Sequence, residues 1–310
     1  MERTKESRTP TLILCSDLHL REDTPICRTD DFVKAQWRKL DFISNLQKKY
    51  YCSVLCGGDL FDHWKPSPNL LRLAILHLPK QFYTIYGQHD LPQHNLELAH
   101  KCGINVLEAG KHLTVLEGVH WGQIPPQKPR LWHTFSMIGK TPRSILVWHK
   151  MNWKGHIPWP GCPDPSALRL LKKYPQYDLI VTGDNHQTFT QEYEERWLVN
   201  PGSMMRMDAD QEEHKPCVFL WYAETNEIKR VYIPIEQGVI SREHIELKKN
   251  RDNRIDAFVT RLDSEWKAAL SFEDNLEIFR KKNKVDPAIM QIIYKNLENE
   301  KTKGKNGRQN

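Results

Sequence analysis

Six short β-rich runs, at residues 11–15, 53–56, 82–86, 144–148, 179–182 and 197–199, each stop in polar or glycine-containing sequence. They read as buried strands. Between several of them lie helix-patterned segments, at 31–49, 69–78 and 165–173, so the chain is expected to be an alternating α/β protein. Two later runs, 217–222 and 229–233, are separated by residues 223–228, whose Thr225-Asn226 centre predicts a hairpin turn. The later part of the sheet is therefore expected to be antiparallel.

At 310 residues the chain is long enough to bury a proper core, as one large domain with an appendage or as two modest domains. Its 39% hydrophobic and 27% charged residues are ordinary for a soluble protein. No apolar run approaches the roughly 18 residues of a membrane helix, so no membrane association is expected. Residues 1–10 are polar and charged and lack the apolar segment of a secretory signal, which points to the cytoplasm. The seven cysteines contain no CxxC pair, the closest spacing being Cys52 and Cys56, and a reducing compartment fits them.

After Gln237 and Gly238 the sequence becomes charged with helical periodicity, so domains are expected at 1–237 and 238–310. Ile255, Phe258, Val259, Leu262, Trp266 and Ala269 fall on one face at three- and four-residue steps. Asp286-Pro287 is an N-cap and N1 pair that opens a second helix, carrying Ile289, Ile292, Ile293 and Leu297. Residues 301–310 read as a frayed polar tail. No internal repeat is present.

Lys and Arg exceed Asp and Glu by six. From Gly118 to Pro163 there is no acidic residue, while Lys128, Arg130, Lys140, Arg143, Lys150 and Lys154 alternate with Trp121, Trp132, Trp148, Trp153 and Trp159. Such a stretch can form a groove in which cations track phosphates and tryptophans stack on bases. It can equally be a proline-rich connection whose tryptophans are buried.

The residues with chemistry stand just past the strand ends, where open α/β sheets place their ligands. Asp17 and His19 follow the first run, and on an extended backbone both would point the same way, as two ligands of one ion require. Gly57-Gly58-Asp59-Leu60-Phe61-Asp62-His63 follows the second, its glycines letting the backbone turn to deliver a carboxylate that can bridge two ions. Gly87-Gln88-His89-Asp90 follows the third, His149 the fourth, and Gly183-Asp184-Asn185-His186 the fifth. Five ligand-rich segments, each at a strand exit, point to a metal site.

This series resembles the calcineurin-like metallophosphoesterase signature of D-x-H, GDxxD/H, GNH[D/E], a lone His and GHxH, over residues 11–203. Asn200-Pro201-Gly202-Ser203 is similar to a segment that follows the last motif in that superfamily. The resemblance implies an α/β fold, a β-sandwich flanked by helices, with the residues after 237 as a small helical addition. It implies two divalent ions, one among Asp17, His19, Asp59 and His186, the other among Asp59, Gln88, His149 and Asp184. Such a pair of ions drives phosphoester hydrolysis. His89 would be the general acid, and Asp90 would orient its imidazole. Gln88 replaces the usual Asn and Asp184 the usual His; the harder donor set favours manganese or magnesium over zinc. Against these, His63 has a claim to face substrate, and His156 to substitute as a ligand.

GDLFD and the overall length most resemble SbcD-type DNA repair exonuclease subunits, phage versions included. That narrower likeness implies a manganese-dependent nuclease acting on DNA in repair or replication, in the host cytoplasm if phage-encoded. It also implies an SMC-like ATPase subunit docking on the C-terminal helices. A small-molecule phosphodiesterase, a phosphomonoesterase and a catalytically silent scaffold are the rival readings. The intact His89 and Asp90 speak against the last.

Overall fold

The computed structural model describes residues 9–125, 134–135, 143–265 and 271–306. By internal contacts the chain divides after Arg242 into two compact units. The first holds two β-sheets. One has six strands in the order β11-β10-β1-β2-β3-β4: β1 (Leu12–Cys15), β2 (Ser53–Cys56), β3 (Phe82–Thr84), β4 (Thr114–Val115), β10 (Cys217–Tyr222) and β11 (Glu227–Tyr232). The other has five in the order β5-β6-β7-β9-β8: β5 (Thr134–Phe135), β6 (Arg143–His149), β7 (Leu179–Gly183), β8 (Phe189–Tyr193) and β9 (Arg196–Asn200).

Strands β1 to β4 run parallel, as do β6, β7 and β9, while β10 and β11 pair antiparallel as expected. The hairpin turn is tighter than the sequence suggests, because β11 starts at Glu227 and Asn226 takes a left-handed φ of 53°. Its side chain accepts the indole N–H of Trp221 at 2.9 Å.

Alternation along each strand assigns its two faces. Leu12, Leu14, Leu55 and Ile85 meet Ile145, Val147, Leu179 and Val181 in one buried cluster between the sheets. The opposite residues, Ile13, Cys15, Val54 and Cys56, pack under α1 (Phe32–Tyr50), α2 (Pro68–His77) and α3 (Gly103–Ala109). Leu146, Trp148 and Ile180 pack under α4 (Ala167–Lys173). Strands covered on both faces read as unbroken apolar runs, which is why they stood out in the sequence. Asp31, Ser67 and Ser166 cap α1, α2 and α4 by accepting a backbone N–H in the first turn.

The second unit contains α5 (Glu243–Glu265), α6 (Phe272–Asn283) and α7 (Pro287–Asn306). Trp266 and Ala269, which the periodicity placed on α5, lie outside the described residues. Helix α6 was not expected, although Ser271 caps it through the N–H of Asp274. Among the described residues no helix is long and apolar enough to cross a membrane.

Candidate metal centre

All five ligand-bearing segments leave the C-terminal ends of parallel strands, β1, β2 and β3 in one sheet and β6 and β7 in the other. The backbone at these exits is not extended. Asp17, His19, Asp59 and Asp184 have φ of 51°, 44°, 51° and 76°, a left-handed region that costs non-glycine residues of order 1–3 kcal/mol each. The expectation that an extended Asp17-x-His19 aims both side chains alike is thereby corrected. The ladder stops at Cys15, and left-handed turns do the aiming. Backbone bonds hold those turns: Asp17 N–H donates to Gly58, His19 to Asp59 and Leu20 to Leu60, at 2.9 to 3.1 Å.

The side chains converge on Asp59. Its Oδ2 lies 3.3 Å from His149 Nε2 and 3.7 Å from His19 Nε2. His19 Nε2 is in turn 3.1 Å from His186 Nε2 and 4.0 Å from Asp17 Oδ1. Asp17, His19 and His186 form one group whose ligand atoms lie within 4.8 Å of one another, and Asp17, Asp59 and His149 form another. Asp59 Oδ1 is fixed by the backbone N–H of His89 at 2.9 Å. Space is tight enough that glycine is needed at position 87, where a Cβ would stand 2.1 Å from that oxygen.

Gln88 and Asp184, the two departures from the family pattern, touch each other: Gln88 Nε2 donates to Asp184 Oδ1 at 2.6 Å. The longer amide spans to the carboxylate and leaves Gln88 Oε1 buried and without a partner. Asp17 Oδ2, Asp59 Oδ2 and His149 Nε2 are likewise buried and without hydrogen-bond partners. Such groups cost about 1–3 kcal/mol apiece when nothing satisfies them. A divalent cation takes such oxygen and imidazole donors, and Asp17, Asp59 and His149 already form one ligand group, so these residues fit a metal; Asp184 joins no ligand group among the described residues. His149 Nδ1–H donates to the Gly57 carbonyl at 2.7 Å, which turns Nε2 toward Asp59.

The charges agree. Burial opposes ionisation of Asp59, but His149 and His19 beside it hold its carboxyl far below the usual range. Burial also opposes charge on His149, yet Asp59 and Asp17 push it up to about 10. The anionic cluster thus recruits a proton where a cation would otherwise sit.

Asp90 does not orient His89. Its carboxylate accepts the backbone N–H groups of Leu60, Phe61 and Gly87 at 3.3, 3.1 and 3.0 Å, tying the two loops that carry Asp59 and Gln88. His89 instead donates its Nδ1–H to the Asp62 carbonyl at 2.9 Å. A carboxylate buried beside three amide donors is drawn to them before it can reach a neighbouring ring. Replacing it, Asp90→Ala, strands three buried N–H groups and is expected to lower stability by roughly 3 kcal/mol or more. Urea titration checks this; a loss below about 1 kcal/mol would contradict the role.

Asp62 was absent from the expected site residues. Its Oδ1 is 3.5 Å from His19 Nδ1, and Asp62, His19 and His89 form a third ligand group. The signal was its spacing from Asp59 in Gly58-Asp59-Leu60-Phe61-Asp62. His63 accepts the Lys65 N–H, and His156 is exposed; neither joins a ligand group among the described residues.

A cleft of about 710 Å³ opens beside His149 and Asp184, lined also by Trp121, Lys150, Arg169 and Lys173. Trp148 lies in the core, and Arg143 is committed to Asp178 and the Ala223 carbonyl. Lys128, Arg130, Trp132 and Lys140 fall outside the described residues.

No curated protein matches the sequence. Among solved structures, the chain is similar to a novel archaeal phosphodiesterase at 13% identity and a TM-score of 0.40, over 71% of this chain and 98% of that one. It is similar to zinc-complexed Vps29 from Entamoeba histolytica at 15% identity and a TM-score of 0.34, over 72% and 99% of the two chains. Vacuolar protein sorting 29 from Cryptosporidium parvum gives 15% and 0.35, over 73% and 97%. Residues 10–188, more than half of the chain and the span that carries every candidate ligand described above, match the model of the calcineurin-like phosphoesterases, and the chain belongs to that family.

Proposed function

We propose that this chain is a two-metal, manganese-dependent nuclease that hydrolyses phosphodiesters of DNA in repair or replication, in the manner of SbcD-type subunits. The observation that carries the reading is the cleft beside His149 and Asp184. It offers one aromatic surface, Trp121, and exposed cations on α4, Arg169 and Lys173, four residues apart and so on one face. Stacking on the indole with phosphates along the cations is how single strands are gripped without sequence preference.

Asp17, His19, Asp59 and His186 would hold one ion and Asp59, Gln88, His149 and Asp184 the other. Bound there, divalent ions neutralise phosphate charge and lower the pKa of water. His89, its Nδ1–H fixed on the Asp62 carbonyl, presents Nε2 and, as the imidazolium, would deliver that nitrogen's proton to the leaving ester oxygen. The exposed apolar residues Leu247, Ile255, Ile278 and Ile292 of the C-terminal helices support docking of an ATPase partner.

The test is cleavage of end-labelled duplex and single-stranded DNA with manganese. Trp121→Ala is expected to weaken single-strand binding roughly five- to 150-fold, the worth of one stacked base, while hydrolysis of bis(p-nitrophenyl) phosphate continues at the wild-type rate. Intact DNA alongside turnover of nucleotide-sized esters would sink the nuclease reading in favour of a small-molecule phosphodiesterase.

A further inference from the structure

A second cavity, of about 400 Å³, lies against α1 and shares no lining residue with the metal centre. Its wall includes Arg28, Lys39 and Arg206, only 8%, 6% and 2% exposed. Buried cations are costly unless paired. Arg28 has a carboxylate partner, Asp30 at 2.7 Å. Lys39 and Arg206 have no ion pair among the described residues. Lys39 Nζ donates to the Met204 carbonyl at 3.0 Å, and the two terminal nitrogens of Arg206 donate to the Glu212 and Glu236 carbonyls. Arg206 Nε is buried with no partner at all.

The other acidic groups at the cavity are engaged elsewhere. Asp41 pairs with His77 at 2.7 Å, and Glu236 with Arg38 at 2.7 Å, both members of the latter pair being about half exposed. An ammonium has three donors and a guanidinium five, so Lys39 retains two beyond its bond to Met204, and Arg206 retains three, its Nε–H among them. Burial, with Arg28 and Arg206 nearby, pushes Lys39 down to about 7, as for a cation lacking a counter-charge.

We propose that this cavity is a binding site for a phosphate group, free or at the end of a small phosphomonoester. Spare donors on a guanidinium and an ammonium, in a wall that Arg28 also lines, suit an oxyanion with several acceptor oxygens. The site neighbours the metal centre through one loop. Met204, whose carbonyl Lys39 holds, donates its N–H to the Asp17 carbonyl at 3.2 Å, and Ser203 N–H donates to the His186 carbonyl at 3.1 Å. The proposal stands whether or not the chain cuts DNA.

The test is calorimetric titration of the full-length chain with inorganic phosphate and, separately, glycerol 3-phosphate. It is run in Asp59→Asn, whose metal centre is disabled, so that binding there cannot be mistaken for binding here. One phosphate per chain is expected. Lys39→Met in that background should weaken it by more than about tenfold, in line with the loss of charge-assisted bonds. Glu236→Gln, which removes a negative charge at the mouth without touching the core, should tighten it roughly two- to fivefold. Tighter binding of glycerol 3-phosphate supports the site with an ester as its ligand, and tighter binding of phosphate supports it with the free ion. Loss of phosphate binding on Asp59→Asn alone, or an unchanged affinity in Glu236→Gln, overturns the proposal.

Discussion

Asp59→Asn is expected to reduce metal-dependent phosphoester hydrolysis more than about 100-fold, beyond the 10- to 100-fold typical of residues that merely support metal ligands. Asp59 places one oxygen near imidazoles of both sheets, 3.3 Å from His149 and 3.7 Å from His19. An amide has a single acceptor oxygen. If it keeps the bond to the His89 N–H, its NH2 faces the two imidazole nitrogens and repels a cation. Metal content by elemental analysis should fall together with activity. Turnover within tenfold of wild type at full metal content would remove Asp59 from the centre.

His89→Ala is expected to fail differently, losing about 10² to 10⁴ in turnover, the usual worth of a positioned acid, while metal content stays at the wild-type level. Its Nδ1–H donates to the Asp62 carbonyl, so Nε2 is the nitrogen left to exchange a proton, and it serves as an acid when the ring is doubly protonated. Leaving groups decide between acid and ligand. A p-nitrophenolate needs no protonation, so the variant should lose far less on p-nitrophenyl esters than on alkyl esters. Because His89 also lies in a ligand group with His19 and Asp62, metal lost in step with activity would make it a ligand instead.

Much of the fold was legible because β1, β2, β6 and β7 are covered on both faces and so are written as apolar runs. Residues just beyond such runs are delivered to one edge of the sandwich, which is why Asp17, Asp59, His149 and Asp184 could be singled out. Strand β8 was missed because Phe189–Tyr193 is an antiparallel edge strand with polar, half-buried side chains. Helix α3 was missed because it is short and no side chain caps it. The role of Asp90 was misjudged for a different reason. Its partners are backbone N–H groups, which carry no signature in the side-chain sequence. Nor did the sequence show that Gln88 and Asp184 meet, since their partnership depends on left-handed turns that a strand-based reading does not contain.

The two sheets are joined at both ends of their shared apolar slab, and the joints differ in kind. At the end away from the ligands, Arg143 of one sheet donates to Asp178 beside it and to the Ala223 carbonyl at the end of β10, a latch made only of protein atoms. At the other end, Asp59 of the first sheet meets His149 of the second, and a divalent ion held there would add a tie that can be removed. Without an ion that end keeps its hydrogen bonds between the sheets, from His149 to the Gly57 carbonyl, from the Asp184 N–H to Asp17 and from Gln88 to Asp184, but gathers uncompensated negative charge. An ion would then act there less as the joint itself than as the counter-charge that lets the joint's carboxylates stay together, while the Arg143 latch needs none.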